Sequence, residues 1–200
     1  MTGYTAGVAW SRRVGSLGSK TCAVGDQVRL RPIEEHDLTH LVRLLWDPDA
    51  PGEYQWFGFR IDKVRDIERR WRDDGLIGED SSFLAVVLED GTCAGWVTWR
   101  AVAGSTNFEI GIALFPGHRG HGIGTQAQRQ LVSYLFGTTT ANRLQAGTEL
   151  DNLAEQRSLE RVGFRREGVQ RGLYFRAGAW RDSVMYGLLR ADWLSRATEE

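Results

Sequence analysis

Two hundred residues, 42% of them hydrophobic, suffice for one well-cored domain and do not demand two. Balanced charge, 25 basic against 26 acidic residues for a net −1 with no Lys/Arg-rich run, argues against a nucleic-acid partner. No apolar run approaches a membrane span, and the N-terminus lacks a basic region followed by an apolar segment, so neither a membrane partner nor secretion is expected. Cys22 and Cys93 are too few for a disulfide framework or a cysteine metal site, and unpaired thiols suit a cytoplasmic protein. The eight tryptophans are many for this length; they fill a core or line an aromatic pocket.

Residues 1–26 are glycine- and serine-rich without a sustained period and read as a flexible arm, with the folded domain over 27–195. The alternation in 27–32 predicts a half-buried strand stopped by Pro32. Leu38, Leu41, Val42 and Leu45 share one face of a predicted helix over 34–46. His36 and His40 stand one turn apart on the opposite, solvated face with no further ligand nearby, so no metal is assigned. After the break at 47–52 comes an aromatic stretch with Tyr54, Trp56, Phe57 and Phe59, which either caps the core or lines a substrate pocket. A second helix is predicted over 61–72, with Val64, Ile67 and Trp71 inward.

Apolar runs at 82–88 and 93–99 flank an Asp-Gly turn and predict a β-hairpin. A strand at 108–115 completes an antiparallel meander and leads into Phe115-Pro-Gly-His-Arg-Gly-His-Gly-Ile-Gly-Thr125. Gly120, Gly122 and Gly124 leave that turn open to close approach by a ligand. The following helix presents unpaired N–H groups and the positive end of its dipole, a combination suited to a phosphate. A ligand-free strand-to-helix turn is the plain alternative. No Gly-Lys-Ser/Thr follows, and Arg119-Gly-His-Gly-Ile-Gly124 is not a GxGxxG dinucleotide turn. Ile123, Ala127, Leu131 and Leu135 recur every four residues on the helix that leads away. Further on, a strand is predicted at 143–149, a helix at 152–162 stopped by Gly163, and two strands at 166–174 and 180–189. The fold class is therefore α+β or α/β: a mostly antiparallel sheet with one parallel strand–helix–strand crossover.

Two separated motifs resemble those of the GNAT superfamily of acyl-CoA-dependent N-acetyltransferases. Arg119-Gly-His-Gly-Ile-Gly124 is similar to its R/Q-x-x-G-x-G/A turn, and the run from Asp151-Asn152 to Gly163-Phe164 to its second motif. The start Leu30-Arg-Pro-Ile-Glu-Glu-His-Asp-Leu38 resembles the Rim-type branch, which acetylates ribosomal-protein alanine and serine N-termini. So does the ending with Glu167-Gly168, Gly178, Trp180, Asp182 and Tyr186-Gly-Leu-Leu189. The resemblance spans about residues 27–193 and implies α/β/α layers around a seven-stranded mixed sheet with a central splayed parallel pair. It implies acetyl-CoA as donor, with no metal. The pyrophosphate would be held by backbone N–H groups from Arg119, Gly120, His121, Gly122, Ile123, Gly124 and Thr125. The pantetheine arm would pair with the strand edge at Ile112 and Leu114, and Asn152 would contact the cofactor or cap its helix.

Acetyl transfer needs a base for the amine, N–H donors for the carbonyl oxygen and an acid for the departing thiolate. Glu109, set among Phe108, Ile110, Ile112 and Leu114, is the candidate base; its plain alternative is a strand-end glutamate on the solvent face. The acid is unassigned, because the positions where the family places Tyr or Ser hold Leu159 and Glu155. Ser158 is off register, and Tyr174 comes from another element. The acceptor is a peptide or small-molecule amine. Tyr54, Trp56 and Phe57, with Asp47 and Glu53, favour a cationic or hydrophobic small molecule. An acyl-CoA-binding sensor without catalysis is the alternative function. An edge strand near the C-terminus offers a surface for a homodimer.

Overall fold

The computed structural model describes residues 28–46, 54, 64–78, 81–103 and 105–199. The expected arm, Trp56 and Phe57 lie outside the described residues. Seven strands among the described residues form one sheet: β1 (Val28–Arg31), β2 (Ser82–Leu88), β3 (Cys93–Ala101), β4 (Phe108–Leu114), β5 (Arg143–Glu149), β6 (Arg165–Arg176) and β7 (Ala179–Leu189). Their order across the sheet is β1-β2-β3-β4-β5-β7-β6. Every pairing is antiparallel except β4 with β5. The helices are α1 (Leu38–Trp46), α2 (Val64–Asp74), α3 (Ile123–Thr138), α4 (Leu153–Val162) and α5 (Arg190–Glu199). None of them is long and apolar enough to cross a membrane.

The unbroken apolar run of β2 follows from burial on both faces. Leu84 and Val86 face one core with α3 and α4, while Ala85 and Val87 face a second with α1 and α2. The four-residue spacing on α3 does what its period implies. Ala127, Leu131 and Leu135 are fully buried against the sheet, each leucine contributing about 2 kcal/mol of transfer free energy. In the second core Leu38 and Leu41 of α1 meet Ile67 of α2 over Trp96 and Ala113.

Three local differences from the sequence reading have physical causes. The first predicted helix opens as a tight 3-10 turn over Glu35–Asp37, because buried Asp37 accepts from the Glu34 N–H and from Arg31 of β1. Burial alone raises the Asp37 pKa, but the Arg31 and Glu34 hydrogen bonds more than offset this and hold it below the usual value. The last two strands extend beyond their expected ends and meet at Ala177-Gly178, both in the left-handed region, the pairing a two-residue hairpin turn uses. Finally, α5 had no sequence-level expectation. It is fixed by tertiary contacts: Trp193 lies 5.4 Å from Phe136, and Arg190 donates to the carbonyls of Phe136, Thr139 and Ala141 at the end of α3.

Candidate active site

The site begins where β4 and β5 part. Two registered pairs join these parallel strands, Phe108 with Leu144 and Glu109 with Gln145. Beyond them the strands diverge, and the gap continues into a cleft of about 790 Å³. Its walls are β4 from Ile110 to Leu114, β5 from Ala146 to Glu149, the glycine turn, and the first turns of α4. This is the size range of small-ligand sites, about 300–1,000 Å³.

At one end stands the turn. Gly122 is the N-cap of α3, in the left-handed region at φ 80°, and no side chain caps the helix. The leading N–H groups of α3 therefore have neither an intrahelical nor a side-chain partner. A Cβ built on Gly120 or Gly122 would meet nothing within 4 Å, so this rim is open. A Cβ on Gly124 would instead touch the Leu114 and Ile112 side chains, at 3.5 and 3.6 Å. The Arg119 N–H already donates to the Pro116 carbonyl at 3.3 Å, making it the least available donor of the run 119–125. Arg119 Nε donates to the Leu114 carbonyl at 2.9 Å, which ties the guanidinium to the end of β4. Burial lowers its pKa below the usual guanidinium value.

Of the expected site residues, Tyr54, Ile112, Leu114, Arg119, Gly120, Gly122, Gly124, Thr125 and Asn152 all border the cleft. Asn152 fills its capping role: its Oδ1 accepts from the Glu155 N–H, and its Nδ2 donates to Thr148. Ile123 points into the core and His121 is exposed; a role for either lies in its backbone N–H. Glu109 is not among the lining residues. Its carboxylate accepts from Arg100 Nη2 at 2.8 Å and from Gln145 Nε2 at 3.2 Å. Leu159, at the position where the family places Tyr, is wholly buried in the core.

The structure adds two arrangements that the sequence reading missed. Glu149, 3% exposed, lines the cleft with both oxygens held by Arg176, whose guanidinium lies 5.2 Å from the Tyr54 ring centre. Alternation along β5 carried no sign of a charge facing inward. The second is a hydrogen-bonded chain between α3 and α4. Ser158 donates to the Gln128 amide oxygen at 2.7 Å, so the 2.9 Å contact with Thr125 is donated by the threonine. Gln128 Nε2 then donates to Glu155 at 2.5 Å. Burial pushes the Glu155 pKa up to about 7, the Gln128 bond partly opposing the rise. Among the described residues no group of three or more His, Cys, Asp or Glu is placed to hold a metal.

A parting parallel strand pair that feeds a glycine turn and an uncapped helix is the geometry the resemblance implied, and the family comparison decides the matter. The model of the acetyltransferase (GNAT) domain matches residues 27–165. The chain belongs to the GNAT acetyltransferase family. This acetyltransferase is 28% identical over 184 residues to the Bacillus subtilis protein YdaF, named as a candidate ribosomal N-acetyltransferase, with 86% of this chain and 97% of that one covered. It is 25% identical over 170 residues to the N-acetyltransferase p20 of Bacillus licheniformis, covering 84% and 96%. In fold it is similar to the spermidine N-acetyltransferase of Vibrio cholerae solved with CoA and spermine, with a TM-score of 0.73 at 18% identity over 85% of this chain and 99% of that one. The acetyltransferase thus has the GNAT fold and the enzyme class of its relatives.

Proposed function

We propose that this acetyltransferase transfers an acetyl group from acetyl-CoA directly to a primary amine, a peptide N-terminus or a small-molecule amine, as a member of the Rim-type branch. The observation that carries the reading is the parting of β4 from β5 after the Glu109–Gln145 pair, which puts Ile110 to Leu114 along a cleft that runs to the open glycine rim. Acetyl-CoA supplies the activated thioester carbonyl. The N–H groups of 120–125 hold the pyrophosphate, and the β4 edge at Ile112 and Leu114 holds the pantetheine arm. Backbone N–H groups of β4 along the cleft are the proposed donors for the charge that develops on the carbonyl oxygen. Tyr54 and Glu149, whose carboxylate Arg176 holds, border the same cleft and take the acceptor side. Glu109 is the proposed base. Because its carboxylate is held by Arg100 and Gln145 and does not line the cleft, it reaches the amine through water. The outer edge of β6, where the sheet ends, is the surface offered for a homodimer.

A thiol-release screen with acetyl-CoA against N-terminal Ala and Ser peptides, amino sugars and polyamines tests the reading. Release that depends on the amine is expected. Tight CoA binding with no release across the panel would instead identify an acyl-CoA-binding sensor.

A further inference from the structure

The cleft holds a carboxyl group to which the proposed transfer has so far given no task. Glu155 stands in the first turn of α4, three residues past Asn152, and borders the cleft. Its hydrogen bond comes from a neutral amide, so among the described residues no opposite charge offsets its loss of water. That amide is fixed. Gln128 is buried, and its oxygen accepts from Ser158, which in turn accepts from Thr125 at the glycine turn. Gln128 can therefore present only an N–H to Glu155 without breaking the chain. With Oε1 accepting that N–H, a proton on the carboxyl resides on Oε2. Its neighbours on α4 are unsuited to the same work: Leu159 has no proton to give and lies in the core, and the Ser158 hydroxyl is committed to Gln128.

We infer that Glu155 is the general acid of the transfer, delivering its proton to the sulfur that leaves. The inference rests on the reading that the cleft takes an acyl-thioester donor. As the carbon–sulfur bond breaks, its electron pair goes to sulfur and the Glu155 proton follows, giving the free thiol and a carboxylate. The proton surrendered by the amine returns to Glu155 through solvent, so the cycle closes without a further reagent. A carboxyl whose pKa lies near neutrality is suited to both halves of that exchange. The charged and titratable groups bordering the same cleft are Arg119 from the turn, Glu149 from β5, Asp151, Arg157 and Arg161 around α4, Tyr174 from β6, and Tyr54.

The test uses the full chain: acetyl-CoA affinity by calorimetry, kcat against pH with an amine from the release screen, and a 13C NMR titration of the Glu155 carboxyl carbon. The NMR midpoint is expected at about 7, with wild-type kcat falling as pH rises through it. Glu155→Gln should bind acetyl-CoA as wild type does, lose kcat by about 10²-fold and lose that limb. Gln128→Met removes the hydrogen bond that restrains the pKa, so limb and NMR midpoint should move upward together. Retention of kcat and limb by Glu155→Gln overturns the role. So does a midpoint in the ordinary carboxylate range, or a limb that stays put in Gln128→Met. Should Glu155→Gln fail to bind acetyl-CoA, the Gln128→Met profile and the midpoint decide. A wild-type protein that binds acetyl-CoA but releases no thiol with any amine refutes the transferase reading itself, and the acid role with it.

Discussion

Gln145 faces Glu109 across the last registered pair between β4 and β5, its Nε2 donating to Glu109 Oε2 at 3.2 Å. Past this pair the sheet opens, so the side-chain bond stands at the hinge of the splay, with Arg100 holding the other carboxylate oxygen. Glu109→Gln preserves shape and keeps one oxygen acceptor for Arg100 while removing the charge. It is expected to lower kcat by about 10²-fold while leaving the acetyl-CoA dissociation constant unchanged, as read by stopped-flow thiol release and calorimetry. Equal losses in the two would make the residue a strand clamp rather than a base.

Gly122 occupies a left-handed conformation at the uncapped start of α3. Gly122→Val should cost about 1–2 kcal/mol of stability from the backbone and place a branched side chain at the open rim. Acetyl-CoA affinity is expected to fall at least about tenfold, equivalent to 1.4 kcal/mol. Gly137 gives the contrast: it sits inside α3, exposed, with room for a Cβ. Gly137→Ala should raise stability by about 0.5–1 kcal/mol without touching affinity.

Arg176→Ala would strand the Glu149 carboxylate, which is 3% exposed. Breaking a buried pair from one side destabilises by about 3 kcal/mol, measurable in urea. The double variant Glu149→Gln, Arg176→Ala should recover most of that loss, since no uncompensated charge remains. If the single variant unfolds at the wild-type urea midpoint, the pair has no structural weight.

Stability should also report Glu155. Its folded-state pKa of about 7 lies above the ordinary 4.5, so between these values the folded chain binds more protons than the unfolded one. The Glu155 contribution therefore falls as pH rises from about 4.5 to 7 and levels off above. The total over that interval is at most about 3 kcal/mol. Subtracting the stability curve of Glu155→Gln from that of wild type should isolate this slope; a flat difference would show that the carboxyl titrates normally.

The sequence by itself determined every described strand, the four helices α1 to α4 and the glycine turn, because those features are local. Periodicity, capping chemistry and the Asp-Gly hairpin act within a few residues of one another. Family membership was legible for the same reason, from two short motifs at fixed separation. Only the tertiary structure decided what each charged side chain faces. Glu149 and Arg176 are 27 residues apart, Gln128 and Glu155 also 27, and Thr125 and Ser158 33, so no local pattern could pair them. Helix α5 was missed likewise, since Arg190 finds its carbonyl partners about 50 residues away in sequence. The same holds for Glu155. In sequence it is a charged residue where a hydroxyl was expected; half-buried against Gln128 of α3 at the wall of the cleft, it becomes a carboxyl whose pKa is pushed up to about 7 by loss of water.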